Sequence, residues 1–455
     1  MTTAPGKIRA NFGDFLMWLS DRYWSPQIIC GRIDFNGPVD EQRLLAAWER
    51  LCFRIPVLRS VLRLFDGEGF FEVLEPGDLK RFLTVVHDQS GQRAAADEHR
   101  FVTRAIDAET AAPVRMWLHH RPGGDRLVVK VHHTSFDGSG FKSALAVLAD
   151  CYRAGTAGCP PREESVLPVE RSEEQVFGKT GPGRELVLLG RAALSMAAKR
   201  SVMGDNAIWT DRPAPTARRG AIQPRLRQIT LEPGCFEQFY GYCKSRGATV
   251  NEGLLAALDV AVAGWNAAHG LLRDVYPLGF TADMRRMAPE LAGEPVKGIF
   301  CNLSSAEAVA MPASRLTDLS SALESLLPEL GEMKRRHMGA AGVFAFRKMT
   351  LGLPPRVARH WMTPLARRVV RGLQRSFTLT NMGIIPDEAG DYDEIKARAM
   401  SMWAPVFPAP QMYMSATSYG GALTLTPSYD GAGLSEEAAD EFEAVLRQVL
   451  DEAKM

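Results

Sequence analysis

The chain has 455 residues, 46% of them hydrophobic and 24% charged, and 54 basic against 53 acidic side chains leave a formal net charge of +1. That length exceeds one ordinary core and implies two lobes, while the near-neutral balance gives no general case for nucleic acid or another polyanion as partner. Met1–Ala10 lacks the apolar core of a secretion signal, no apolar run is long enough to span a bilayer, and the seven cysteines include no Cys-x-x-Cys pair, which fits reduced thiols in a cytoplasmic setting.

In chain order, Gln27–Phe35 alternates as a strand and ends at Asn36-Gly37-Pro38. Asp40 is placed to cap a helix with Leu44, Leu45, Trp48, Leu51 and Cys52 on one face, which Pro56 ends. Arg59–Leu64 and Gly69–Leu74 read as a hairpin about Asp66-Gly67-Glu68-Gly69. Val114–His120 and Arg126–His132 read as a second hairpin, about Pro122-Gly123-Gly124. Of its two histidine pairs, His119-His120 runs into the turn and reads as a half-exposed strand end. The other, His132-His133, leads through Thr134-Ser135-Phe136 to Asp137-Gly138 and then to the helical spacing of Phe141–Asp150. It therefore occupies a strand-to-helix turn.

An imidazole on a rigid strand end suits general-base work, because its ordinary pKa of roughly 6.5 lies near neutrality. Asp137 can close the turn by pairing with a cation elsewhere, and Gly138 permits a sharp exit. Neighbouring strand residues point to opposite faces, which argues against one metal between His132 and His133. No HExxH and no Cys/His cluster lies nearby. A pair of core histidines satisfied by hydrogen bonds is the bland alternative.

From Thr156 to about Ala221, loops rich in Pro, Gly and Arg surround a helical Glu185–Val202, the pattern of a crossover between lobes, with a docking segment as the alternative. Arg225–Leu231 then reads as a strand, Phe236–Arg246 and Thr249–His269 as helices, and Asp274–Arg285 as a strand ending in basic residues. Tyr413–Ser418 and Ala422–Tyr429 form a late hairpin before a helix over Ser435–Lys454.

The sequence His132-His133-x-x-x-Asp137-Gly138 resembles the signature of the HHxxxDG acyltransferases. That superfamily includes chloramphenicol acetyltransferase, nonribosomal peptide condensation domains, polyketide-associated alcohol acyltransferases and bacterial wax ester synthases. The DFGWG motif of the plant branch is absent. Strand, helix and two hairpins in this order resemble the N-terminal half of a condensation-type enzyme, the start of the long helix at Asn251 is similar to its counterpart in wax synthases, and the late hairpin and helix look like the family's closing elements. The resemblance implies that Arg285, with Arg286 as fallback, pairs with Asp137. It also implies that Gly298–Ser304, with Asn302 and Ser304, and Ser376–Gly383, with Thr380 and Asn381, are strands bordering a substrate channel, their polar side chains either orienting substrate or satisfying strand ends.

The fold expected is α/β, two chloramphenicol-acetyltransferase-like lobes, each a mixed sheet with helices, forming a pseudo-dimer about a central cleft in a monomer. Residues 1–160 make the first lobe, 161–222 the crossover and 223–455 the second. The activity implied is acyl transfer from a thioester, on coenzyme A or an acyl carrier protein, to a hydroxyl or amine of a small molecule or lipid. In it His133 is the general base, the Gly138 N–H an oxyanion donor, His132 structural, and Asp137 and Arg285 hold the loop. No metal or bound cofactor is called for. A carrier-bound epimerase or cyclase and a non-catalytic recruitment module are the other readings. Gly331–Arg375 carries eleven Lys or Arg against the single acid Glu332. A carrier or coenzyme A docking surface, a peripheral membrane contact and a solvated helical face all fit that run.

Overall fold

The computed structural model describes residues 6–454 other than 66–67, 76–81, 88–91, 156–165, 168–169, 179–180, 203–207, 213–221, 294, 297–298, 338 and 351–376. The turn at Asp66-Gly67, Gly298, Ser376, both ends of the crossover and the basic residues from 351 onward lie outside the described residues.

The first half runs β1 (Lys7–Arg9), α1 (Phe12–Tyr23), β2 (Ile28–Phe35), α2 (Glu41–Arg54), β3 (Ser60–Phe65), β4 (Glu68–Val73), β5 (Leu83–His87), α3 (Gln92–Thr103), β6 (Val114–His120), β7 (Arg126–His132) and α4 (Gly138–Ala154). Helices start where side chains can satisfy free amides: Asp40 caps α2, and Asp137 caps α4. Asn11 and Asp14 form a reciprocal capping box on α1. The crossover contributes α5 (Glu174–Phe177) and α6 (Pro182–Val202). The second half opens with β8 (Pro224–Leu226), β9 (Ile229–Leu231), α7 (Pro233–Ser245), α8 (Val250–Ala268), β10 (Val275–Asp283), α9 (Ala288–Leu291) and β11 (Ser304–Pro312). It continues through α10 (Leu319–Arg335), α11 (Ala340–Thr350), β12 (Phe377–Ile384), β13 (Asp391–Tyr392), β14 (Ile395–Trp403), β15 (Met412–Tyr419), β16 (Ala422–Asp430) and α12 (Glu436–Asp451).

Among the described residues two large sheets and a small one result, so the fold is the expected mixed α/β arrangement in two lobes. The first has the order β13-β14-β2-β7-β6-β5, and the second β11-β10-β12-β15-β16-β8 with β9 also on β16. The small sheet is β1-β4-β3. One core packs around β2, β7 and the helices α2 and α4, with Ile33, Phe35, Trp48 and Leu145 fully buried. The other surrounds α8, which is apolar on nearly all sides, as a helix sunk in a core must be.

Spatial lobes and sequence halves do not coincide. The span 223–455 was expected to be one lobe, yet its β14 pairs antiparallel with β2, Trp403 opposite Cys30 and Ser401 opposite Arg32. Without β14, β2 would present an unpaired edge, although six of its eight residues are buried. Met400 and Met402 enter the first core. The expected strand Arg225–Leu231 is interrupted between β8 and β9, where the Arg227 side chain meets Asp440 on α12 (2.5 Å) and that of Gln228 meets Ser401 (2.6 Å). The expected strand Gly298–Ser304 is a strand only from Ser304, and the reason lies in the site.

The β6–β7 turn fixes how the hairpin enters the first sheet. Gly123 and Gly124 have φ of +79° and +120°. A Cβ on Gly123 would meet open space, whereas one on Gly124 would lie 2.2 Å from the Phe35 carbonyl oxygen. Gly123→Ala should cost about 1–2 kcal/mol for its left-handed backbone, and Gly124→Ala distinctly more. Urea unfolding of the two variants measures this, and equal losses would contradict the close approach.

Candidate active site

The hydrogen-bond ladder of β7 carries on through the histidine pair. The His132 N–H donates to the Pro113 carbonyl (2.7 Å) and the His133 N–H to that of Gln27 (2.8 Å). With the backbone held on both flanks, the imidazoles must leave on opposite faces. His132 turns inward and is fully buried. The Thr134 N–H donates to its Nδ1 (3.2 Å), which makes that nitrogen an acceptor and places the proton on Nε2. Nε2 lies 3.4 Å from Asp21 Oδ1 without the alignment of a hydrogen bond. These contacts fit a structural His132.

His133 is half-buried, and its Nδ1 lies 2.9 Å from Asn302 Oδ1. The Asn302 amide can face only one way. Its Nδ2 is surrounded by acceptors, at 2.8 Å from Asp14 Oδ1, 2.7 Å from the His133 carbonyl and 3.2 Å from that of Thr134. Oδ1 must therefore meet His133, and the imidazole must present Nδ1–H to it. The lone pair is left on Nε2, which makes no hydrogen bond among the described residues. Burial lowers the His133 pKa below its ordinary value, against smaller opposing effects of its own backbone, the Asp137 charge and the Asn302 hydrogen bond. A neutral ring with an available Nε2 is the form a general base requires.

Asp137 and Arg285 hold this arrangement together. Asp137 Oδ1 accepts the Gly140 N–H (3.0 Å), capping α4, and Oδ2 accepts from Arg285 Nη1 (2.7 Å) and the Leu303 N–H (2.8 Å). Arg285 sits two residues past the end of β10, in a short 3-10 turn, rather than on the strand itself. Its Nη1 also reaches Asp283 (3.1 Å), and Nη2 donates to the carbonyls of Ile299 (2.7 Å) and Cys301 (2.9 Å). Arg171 takes the Phe300 carbonyl between them. Carbonyls drawn onto two guanidinium groups are unavailable to a neighbouring strand, which is why 299–303 is a loop. Burial alone would raise the Asp137 pKa, but the Arg285 charge and hydrogen bonds from Arg285, Leu303 and Gly140 hold it below the usual carboxylate range. Burial likewise works against the charge of Arg285, and Asp137 and Asp283 outweigh it.

The structure thus brings His132, His133, Asp137, Gly138, Arg285 and Asn302 together. Asn302, read from sequence as a channel or strand-end residue, is buried against His133 and spends its amide on it. Gly138 opens α4, so its N–H belongs to the first turn, without an intrahelical acceptor. A Cβ there would lie 3.3 Å from Met382 Cγ, which puts the end of β12 beside the motif. The β12 residue Thr380 lies 3.0 Å from Thr281, hydroxyl to hydroxyl, and Asn381 Oδ1 accepts the Gly383 N–H (2.9 Å) at a register shift between β12 and β15. Ser304 opens β11 opposite Asp283. In the second histidine pair, His119 is buried and His120 half-exposed.

Sequence reading missed α1 and the residues behind Asn302. Asp14 is fully buried and paired with Arg171 at 2.5 and 2.8 Å, and Asn11 Nδ2 donates to the Asn302 carbonyl (2.9 Å). Asn11-x-x-Asp14 before an apolar run is a capping-box signal; Arg171, in a stretch of linker composition, carries none. The described cations of the basic run all have acidic partners: Lys334 with Glu252, Arg335 and Arg336 with Glu332, Arg347 with Glu173, and Lys348 with Glu185.

No family model matches the chain. An uncharacterized protein of Mycobacterium tuberculosis is 25% identical over 363 residues, 77% of this chain and 78% of that one. Among solved structures, the epimerization domain from the third module of tyrocidine synthetase B superposes with TM-score 0.69 at 18% identity, covering 98% of this chain and 96% of that domain. The trichothecene 15-O-acetyltransferase of Fusarium sporotrichioides superposes with TM-score 0.72 at 11% identity, covering 98% and 95%. The chain therefore has the two-lobed fold of condensation-type domains and chloramphenicol-acetyltransferase-like transferases.

Arg285→Ala strands the Asp137 carboxylate and should cost about 3–5 kcal/mol at pH 7. Because the folded Asp137 pKa is depressed, its stabilisation is complete above the unfolded value of about 3.9 and fades as pH falls through the folded one. The gap between wild type and Arg285→Ala should therefore narrow below about pH 4. Urea unfolding across pH measures it, and a gap unchanged in acid would contradict the pairing.

Proposed function

We propose that this protein is an acyltransferase of the HHxxxDG superfamily, moving an acyl group from a thioester of coenzyme A or an acyl carrier protein to a hydroxyl or amine. The observation that carries the reading is the Asn302 contact that leaves Nε2 of His133 as the basic nitrogen. In the reaction, Nε2 takes the proton of the acceptor O–H or N–H as that atom attacks the thioester carbonyl carbon. The oxyanion that forms faces the positive end of α4, where the Gly138 N–H is a candidate donor. Collapse breaks the C–S bond, and the imidazolium returns its proton to the departing thiolate. The acceptor is a small molecule or lipid, and the donor is a substrate rather than a resident cofactor. The Fusarium enzyme of the same fold is a 15-O-acetyltransferase, and acetyl transfer to an oxygen is in keeping with this chemistry. We place the reaction in the cytoplasm, on the strength of the buried thiols at Cys30, Cys52, Cys151, Cys243 and Cys301, and in a monomer, because one chain supplies both large sheets.

Purified protein incubated with acyl-coenzyme A donors, carrier-loaded donors and candidate acceptors, followed by mass spectrometry, tests the proposal. An acylated product that falls about 10²–10⁴-fold in His133→Ala is expected. A carrier-bound product of unchanged mass and inverted stereochemistry would move the assignment to epimerisation, and no product with either donor type would overturn it. Because burial lowers the His133 pKa, the ring is neutral at pH 7 and the acid limb of kcat/KM should lie below about pH 6.5. A limb above that value would contradict the assignment of His133 as base.

A further inference from the structure

The second histidine pair ends in an arrangement that acyl transfer does not use. His87 and His120 are the last residues of β5 and β6 and form the final register pair of those parallel strands. Residues in register leave the sheet on the same face, so the two rings stack at 4.8 Å between centroids and 14° between planes. Glu41, the first residue of α2, lies over both, its Oε1 3.0 Å from His120 Nε2 and 3.6 Å from His87 Nε2. The three ligand-capable atoms lie within 4.8 Å of one another.

The buried Asp125 decides how His120 is used. Its carboxylate accepts the Val39 N–H (2.7 Å) and the Arg121 N–H (3.3 Å), and its Oδ2 lies 2.7 Å from His120 Nδ1. A carboxylate can only accept there, so Nδ1 carries the proton and, in the neutral ring, Nε2 carries a lone pair pointing at Glu41. A lone pair facing a carboxylate at 3.0 Å is repulsive unless a positive charge lies between them. A proton can supply it, and so can a metal ion shared with His87. Around a zinc ion with bonds of about 2.0–2.2 Å, tetrahedral ligand atoms stand roughly 3.3–3.5 Å apart. The two separations to Glu41 bracket that value, and His87, with 71% of its side chain exposed, is free to swing inward. A carboxylate behind a ligating histidine is the usual support of such sites.

The geometry points to a divalent transition-metal site of the zinc class, with ligands His87 Nε2, His120 Nε2 and Glu41 Oε1, water completing the set and Asp125 orienting His120. His120, the last residue of β6, lies beside the start of the hairpin strand β7, and His133 follows the far end of that strand. Seven residues at about 3.4 Å each separate them, so the ion is remote from the acyl-transfer chemistry. Its place is structural: it ties the edge strand β5 to the start of α2.

Cobalt titration of the chelator-treated full chain, read by visible absorption, tests the site together with zinc calorimetry and thermal unfolding. One equivalent should bind with ligand-field bands and no thiolate charge transfer, and zinc should raise the unfolding midpoint. His87→Ala, an exposed substitution that leaves the fold intact, should weaken affinity at least tenfold and abolish the rise. Glu41→Gln should weaken it similarly, and Asp125→Asn by about 10–100-fold. No binding by wild type would overturn the inference. So would binding with thiolate bands, or binding unchanged in both His87→Ala and Glu41→Gln.

Discussion

Asp137 is shared among three structural tasks, and the rest of the site depends on how it meets them. One carboxylate oxygen caps α4, and the other takes Arg285 and the backbone of Leu303. Arg285 in turn gathers the carbonyls of Ile299 and Cys301. The loop that carries Asn302 is thus fastened to the loop that carries His133 by charge-assisted bonds, which are stronger and shorter than neutral ones. A buried ion pair of this kind adds little net stability, because desolvating two charges offsets much of their attraction. Its contribution is specificity. It admits one placement of 299–303, and that placement determines which nitrogen of His133 holds the proton.

A second layer supports the first from the opposite side. Asp14 and Asn11, at the start of α1, and Arg171, from the crossover, surround the Asn302 amide and backbone. Gly13 is part of this fit, since a Cβ there would stand 2.6 Å from the Asn302 carbonyl oxygen. Residues from both halves of the sequence and from the segment between them therefore meet behind one imidazole. The pairing of β14 with β2 joins the lobes in the same spirit, with a strand of the second half completing the sheet that leads into the His132-His133 turn.

Local pattern made much of this legible. Alternation located β2, the Pro122-Gly123-Gly124 turn between strand-like runs located β6 and β7, Asp40 marked the start of α2, and the histidine pair with Asp137-Gly138 marked the turn into α4. The pairing of Asp137 with Arg285, 148 positions apart, came from family resemblance, since nothing local to either residue specifies the other. What stayed hidden was tertiary in origin. Residues 299–303 carry strand-like composition, but Arg285 and Arg171 claim their carbonyls. Asn302 reads alike as a substrate ligand or a strand-end residue until its three acceptors are seen. The transfer of β14 to the other sheet leaves no mark in its own residues, because its apolar side chains would suit either core.

The central claim is that Asn302, held in place through Asp137 and Arg285, fixes His133 as the Nδ1–H tautomer with a basic Nε2. Nitrogen-15 NMR of histidine-labelled protein, with His133 assigned by its substitution, reports that tautomer directly. At neutral pH the account predicts a protonated Nδ1 and an unprotonated Nε2 in the wild type, giving way to a mixture in Asn302→Ala. A wild-type His133 that carries its proton on Nε2 would contradict it.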